Sequence, residues 1–333
     1  MKKKQLLGII VTGLVIFVVG VTGIISNVVT AKLNENTKTM GFWETIMTMS
    51  GEVALPLEDF IGVVNVTGEI GPTPTDMWAT AGGYDHNRTI NYIDQMMNAE
   101  NNKGILLYID SPGGTVYESD ELYLKLMEYK EVTKRPIWAY FGSQACSGGY
   151  YVAMAADEIY GNRNGWTGSI GVIISLVNCK ELYDKLGIKE IDITSGENKA
   201  MGSIGLDMTP EQYEIMQSLV DEAYDQFVGI VCEGRGMDDA TVRQLADGRI
   251  YSTLQAKEVN LIDEVASYDE CISAFYKQEK IEDYVTLYTP DDPTSLIGSL
   301  YGMLESLKPQ SETELATDIV ENNGNGVLKY YAK

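Results

Sequence analysis

Histidine is almost missing from this chain. Of 333 residues only His86 is one, and it lies in Tyr84-Asp-His-Asn-Arg, a polar stretch that reads as a loop. A nucleophile activated by histidine is therefore not expected. Cysteine is scarce too: Cys146, Cys179, Cys232 and Cys271 form no Cys-x-x-Cys pair. With a single histidine, that excludes a zinc site of ordinary spacing, and buried free thiols are the default reading. No metal and no cofactor are expected. Basic residues are outnumbered, 25 against 48 acidic, for a net charge of −23. Nucleic acid is a poor partner for such a surface, because phosphate binding needs clustered Lys and Arg. No internal repeat of solenoid period is present.

Long apolar runs are missing as well, with one exception. After Met-Lys-Lys-Lys, the chain is uncharged and apolar from Leu6 to Val29. At ~1.5 Å per residue such a helix spans the ~30 Å hydrocarbon core. The leading lysines place the amino terminus in the cytoplasm and the remainder outside. A cleaved signal peptide is the rival, but its apolar stretch is normally ~7–15 residues. An uncleaved single-pass anchor is the expectation.

Beyond a mixed connector, strand-like and helix-like segments alternate, which argues for an α/β fold. Strands are expected at 60–66, 104–110, 136–141, 158–160, from Gly168 onward, and at Ile188 to Thr194. Helices are expected at 89–99, 117–129, 180–186, 209–233 and 238–246, the long one capped by Thr209 with Pro210 at its first position. Residues 295–307 are amphipathic. A polar stretch ending in Asn-Asn-Gly-Asn-Gly then precedes an apolar, aromatic end, Val327-Leu-Lys-Tyr-Tyr-Ala-Lys.

The chemistry concentrates in four places. Ser147 sits in Gln-Ala-Cys-Ser-Gly-Gly-Tyr-Tyr, between a strand-like and an Ala-rich helix-like run. A serine on such a turn exposes its hydroxyl and leaves the following N–H groups free, as a nucleophile beside half an oxyanion hole requires. An ordinary N-cap serine is the plain reading, but a cap does not ask for Ala145, Gly148 and Gly149 around it. Cys146 is a rival nucleophile; side chains of neighbours on a turn point apart, so only one faces a cleft. Asp110-Ser-Pro-Gly-Gly ends a strand where bare N–H groups can approach a ligand, although Pro-Gly-Gly is also a common turn. Lys199, in Ser195-Gly-Glu-Asn-Lys, is the leading base; desolvation can bring a lysine amine to neutrality near pH 7. Most lysines are simply solvated, and Asp and Glu bases stay open. Ser169, in Trp-Thr-Gly-Ser-Ile-Gly, is placed to orient the lysine or merely to start a strand.

Taken in order, Ile109-Asp-Ser-Pro-Gly-Gly, Ala145-Cys-Ser-Gly-Gly-Tyr-Tyr, Thr167-Gly-Ser-Ile-Gly-Val, Ser195-Gly-Glu-Asn-Lys and Asp247-Gly-Arg-Ile-Tyr resemble the signal peptide peptidase A (protease IV-like) family. The resemblance covers roughly Phe60 to Tyr276. It implies a crotonase/Clp-like α/β fold of repeated β-β-α units and a Ser–Lys dyad of Ser147 and Lys199. It also implies an oxyanion hole from the N–H groups of Gly114 and Gly148, with Ser169 and Gly113 in support. The segments divide into a basic end at 1–5, an anchor at 6–29, a connector at 30–58, a peptidase domain at 59–280 and an extension at 281–333. The implied substrates are remnant signal peptides and other apolar peptides at the outer face of the cytoplasmic membrane. The single anchor resembles that of short members that form homo-oligomers to complete their sites. A crotonase-type acyl-CoA enzyme is disfavoured by the missing basic site for CoA phosphates. An inactive membrane-anchored peptide-binding or scaffold protein of the same fold is the alternative. The apolar carboxyl terminus is expected either to occupy the groove, as inhibitor or trimmed substrate, or to pack elsewhere.

Overall fold

The computed structural model describes residues 53–73 and 83–290, and the backbone of 329–331. The apolar run 6–29, most of the connector and the amphipathic stretch 295–307 lie outside the described residues. Among those described, no helix is long and apolar enough to cross a membrane.

The frame is a mostly parallel sheet. Strand β1 (Phe60–Thr67) runs parallel to β2 (Asn102–Ser111), which runs parallel to β4 (Ile137–Cys146). Their apolar runs are buried from both faces, as parallel strands with covered faces must be. Beyond β2, β4 serves two partners in succession. Its residues 138–141 pair with β5 (Glu158–Gly161), and its residues 144–146 with β6 (Trp166–Gly168). Strand β7 (Ile250–Ser252) joins β6 antiparallel, β8 (Glu264–Val265) joins β5, and β9 (Thr286–Tyr288) closes the far edge on β1. The expected α/β class is therefore observed.

Helices α1 (His86–Asn98) and α2 (Val116–Thr133) cover one face, where Ile93, Met96, Leu122 and Leu126 join the main core. Helix α3 (Gly148–Ala153), entirely buried, follows β4. After the short α4 (Lys180–Leu186) comes α5 (Pro210–Arg235). It is opened by a Thr209–Gln212 capping box with Pro210 at its first turn and closed by Gly236 in the left-handed region. Three shorter helices follow: α6 (Asp239–Leu245), α7 (Thr253–Glu258) and α8 (Tyr268–Gln278). The last brings Cys271 and Phe275 against Trp138 and Tyr140 on the opposite face of the sheet.

Three expectations need correction. His86 is not in a loop: it begins α1 and is buried, its Nδ1 2.7 Å from the Tyr84 hydroxyl and its Nε2 2.8 Å from Glu121. The strand expected from Gly168 onward ends at Gly168, because Gly168 and Ser169 both take positive φ (83° and 50°) and turn the chain out of the sheet. Ile188 to Thr194 form no strand. Their apolar residues have no neighbouring strand to pair with, and Ile191 and Ile193 stand in solvent, 78% and 98% exposed.

Candidate active site

The site forms where β2, β4 and β6 end together. Residue Ser111 at the end of β2 pairs with Ala145, and Cys146 pairs with Gly168. Ser147 follows at φ 53° and ψ −117°, a conformation that costs a non-glycine residue on the order of 1–3 kcal/mol. Its N–H donates to the Gly168 carbonyl at 2.8 Å, and its carbonyl accepts from Tyr151 N–H at 2.9 Å. Both backbone groups are thus used to hold the turn, while the N–H of Gly148 belongs to the unpaired first turn of α3. The side chain stands apart: among the described residues, Ser147 Oγ is a buried polar side-chain atom without a hydrogen-bond partner. A buried hydroxyl in that condition costs roughly 1–3 kcal/mol. A strained backbone and an orphaned hydroxyl thus coincide in one residue.

Beside this turn lies β3 (Gly113–Thr115), which packs against α3. Pro112 and Gly113 lead into it; Gly113, at φ 106°, donates its N–H to Ser111 Oγ at 3.1 Å. Ile70 pairs with Gly114 in parallel fashion. Its N–H donates to Gly113 O and its carbonyl accepts from Thr115 N–H, both at 2.8 Å. That pattern spends the inner bonding groups of Gly113 and Thr115 and leaves the N–H and carbonyl of Gly114 facing the other way, into the groove. No larger residue fits at 114: a Cβ there would meet Ile70 O at 1.7 Å. The outer edge of β3 is occupied by β10 (Lys329–Tyr331), running antiparallel, with Tyr330 opposite Gly114. This short strand also lies against α2 and α3.

Ser169 sits next to the turn, its N–H donating to Arg249 O at 2.7 Å, and Gly248 N–H donates to Ile170 O at 3.1 Å. The motif Asp247-Gly-Arg-Ile-Tyr thus braces the strand that anchors Ser147. Ser169 also lines a cavity of about 500 Å³ together with Val172, Ile173, Val220, Tyr224 and Ile250. The rival Cys146 is buried at the end of β4, and burial pushes its thiol up to about 12, where it stays protonated at neutral pH.

The structure brings Ser147, Gly148, Gly113, Gly114 and Ser169 into one corner. Lys199 is not among them. It is exposed, on the segment 171–208 between β6 and α5, where Gly205 alone is buried. That segment is held by its own contacts, such as Cys179 N–H to Ile204 O at 2.6 Å and Gly205 N–H to Glu190 at 2.6 Å. Sequence reasoning missed Ile70 and Ser111, whose roles are set by pairing across the fold. Among the described residues no cluster of acidic, histidine or cysteine side chains could hold a metal ion.

The family model of Clp protease matches residues 82–173, which fall within the α/β sheet and its helices. The chain belongs to peptidase family S49, whose model matches residues 130–282. A relative in Enterococcus faecium, provisionally named signal peptide peptidase SppA, is 34% identical over 72% of this chain and 69% of its own length. Protease 4 of Haemophilus influenzae is 28% identical over 72% of this chain and 39% of its own. The chloroplastic serine protease SPPA of Arabidopsis thaliana is 26% identical over 81% of this chain and 41% of its own.

Proposed function

We propose that the protein is a membrane-anchored serine endopeptidase in which Ser147 of one copy is activated by Lys199 of a second copy. The observation that carries this reading is the orphaned Ser147 hydroxyl. Within the chain Lys199 does not reach it, yet Lys199 rides on a segment that exposes Leu182, Leu186, Ile188, Ile191 and Ile193. Such a row of apolar side chains is costly in water and marks a contact surface. A second copy seated there would bury the row, desolvate the lysine amine and lower its pKa toward neutrality. The neutral amine would take the proton from Ser147 Oγ as it attacks a peptide carbonyl. The N–H groups of Gly114 and Gly148 would hold the oxyanion, each worth about 2.7–4 kcal/mol. Water would then cleave the ester with the same amine as base.

Substrate would bind extended along the outer edge of β3, in the place that β10 takes in this structure, adding main-chain hydrogen bonds. The cavity beside Ser169 offers an apolar lining to its side chains. Remnant signal peptides fit this groove in chemistry, and an anchor at 6–29 would hold the domain at the outer face of the cytoplasmic membrane, where they collect.

The test is complementation between two inactive variants of the full-length chain, assayed on a labelled apolar signal peptide in detergent. Ser147→Ala and Lys199→Ala should each abolish hydrolysis. Co-assembled in equal amounts, they should regain about a quarter of wild-type activity, because one site in four joins an intact serine to an intact lysine. A dyad within one copy predicts none. Full activity of Lys199→Ala alone, or a co-assembled mixture that stays inactive, would sink the proposal.

A further inference from the structure

Ser111, the last residue of β2, is fully buried, and a buried hydroxyl needs partners. Both of its partners lie on one residue. The N–H of Gly113 donates to Ser111 Oγ at 3.1 Å, and the hydroxyl points back at the Gly113 carbonyl at 3.4 Å. A serine oxygen that accepts from the N–H two residues on closes a turn in place of a backbone carbonyl. The same Gly113 carbonyl accepts from Ile70 N–H at 2.8 Å. That carbonyl shares a planar trans peptide with the N–H of Gly114, and the two point in opposite directions. Whatever holds the carbonyl therefore aims the N–H. A peptide with glycine at both ends has few steric bars to turning over, so it needs such a clamp.

Ser111 also touches the other side of the site. It pairs with Ala145 on β4, shortly before Ser147. Gly149 closes on it so tightly that a Cβ at 149 would meet Ser111 O at 3.2 Å and Ser111 Cβ at 3.4 Å. The first turn of α3, which carries the N–H of Gly148, is thus seated on Ser111.

We propose that Ser111 is a positioning residue for the oxyanion hole. Its hydroxyl keeps the Gly113–Gly114 peptide turned so that the N–H of Gly114 faces the groove, and its backbone sets the distance to the N–H of Gly148. The inference rests on the reading of Ser147 as nucleophile with those two N–H groups as donors.

The test is hydrolysis of a labelled apolar signal peptide by the full-length chain in detergent, with kcat expressed per mole of serine titrated by a fluorophosphonate. Ser111→Ala should lower kcat about tenfold and leave KM nearly unchanged, because the oxyanion forms only after binding. The loss is smaller than that of a whole donor, since Ile70 still holds the Gly113 carbonyl. Ser111→Thr keeps the hydroxyl and should lie closer to wild type than to Ser111→Ala. Melting curves accompany both. Wild-type kcat in Ser111→Ala would overturn the inference, as would a loss carried by KM. So would a folded Ser111→Thr as slow as Ser111→Ala, or a Ser111→Ala without a melting transition, which would make the hydroxyl a requirement of folding. These results leave the proposed peptidase standing; a wild type that hydrolyses nothing would remove both.

Discussion

At Ser147 a strained backbone and an unpaired hydroxyl coincide with a glycine on either side of the groove. Ser147→Ala should relieve the orphaned group and be as stable as wild type or slightly more so, while hydrolysis disappears; a melting curve beside the assay checks both. Gly114→Ala should act differently. Its Cβ cannot coexist with Ile70 O, so β3 must shift and withdraw its N–H from the groove. A loss of about 10²–10³ in kcat, with KM changed less, is expected for one displaced oxyanion donor. Cys146 gives a prediction by pH. Burial pushes Cys146 and Cys271 up to about 12, so the folded chain keeps protons that the unfolded chain releases above about 9. Unfolding then releases protons, and stability falls as pH rises through that window. Denaturant midpoints should decline between pH 8 and pH 10, and less steeply in a Cys146→Ala, Cys271→Ala double variant.

At the scale of elements, the end of the long helix α5 is tied by a charged contact to Asp263, just before β8. Arg235 reaches Asp263 with two nitrogens, at 3.0 Å and 2.7 Å, and Asp263 also accepts the Ile159 N–H at 2.7 Å. The side chain of Arg235 is 9% exposed, so Asp263→Ala removes the carboxylate from a buried charge and leaves it the Asn260 carbonyl, 2.8 Å from its Nε. The expected cost is about 2 kcal/mol, below that of a fully buried pair because Asp263 is itself 30% exposed. The Thr209 cap at the exposed start of α5 should matter less, with Thr209→Ala losing about 1 kcal/mol. Urea midpoints with unchanged slopes would confirm both. Several elements were legible because their signals are local. Thr209-Pro-Glu announces α5, and the apolar runs of β1, β2 and β4 announce a buried parallel sheet. The strands β7, β8 and β9 were not legible, being two or three residues long and made strands only by the neighbours they meet. Ile188–Thr194 shows the converse: strand-like letters without an edge to join.

For the whole molecule, the proposed assembly of copies would cover the exposed apolar row on segment 171–208. With a net charge of −23, copies repel one another, and salt should favour association by screening them. Sedimentation of the detergent-solubilised chain should show an oligomer that Ile191→Asp with Ile193→Asp dissociates, taking hydrolysis with it. Retained activity in a dissociated form would place the base within one copy.

What the sequence determined by itself was the chemistry available: one histidine, no metal-binding spacing, a serine among glycines, a lysine on a polar loop and a glycine-rich strand end. These depend on residue type and local order, so they survive without a fold. Tertiary structure alone decided which groups share a corner. Positive φ at Ser147 and Ser169, the pairing of Ile70 with Gly114 and the seat of Tyr330 on Gly114 all arise from contacts between residues distant in sequence. Such contacts are selected by packing and by the need to pair every buried backbone group, and no short stretch of sequence encodes them.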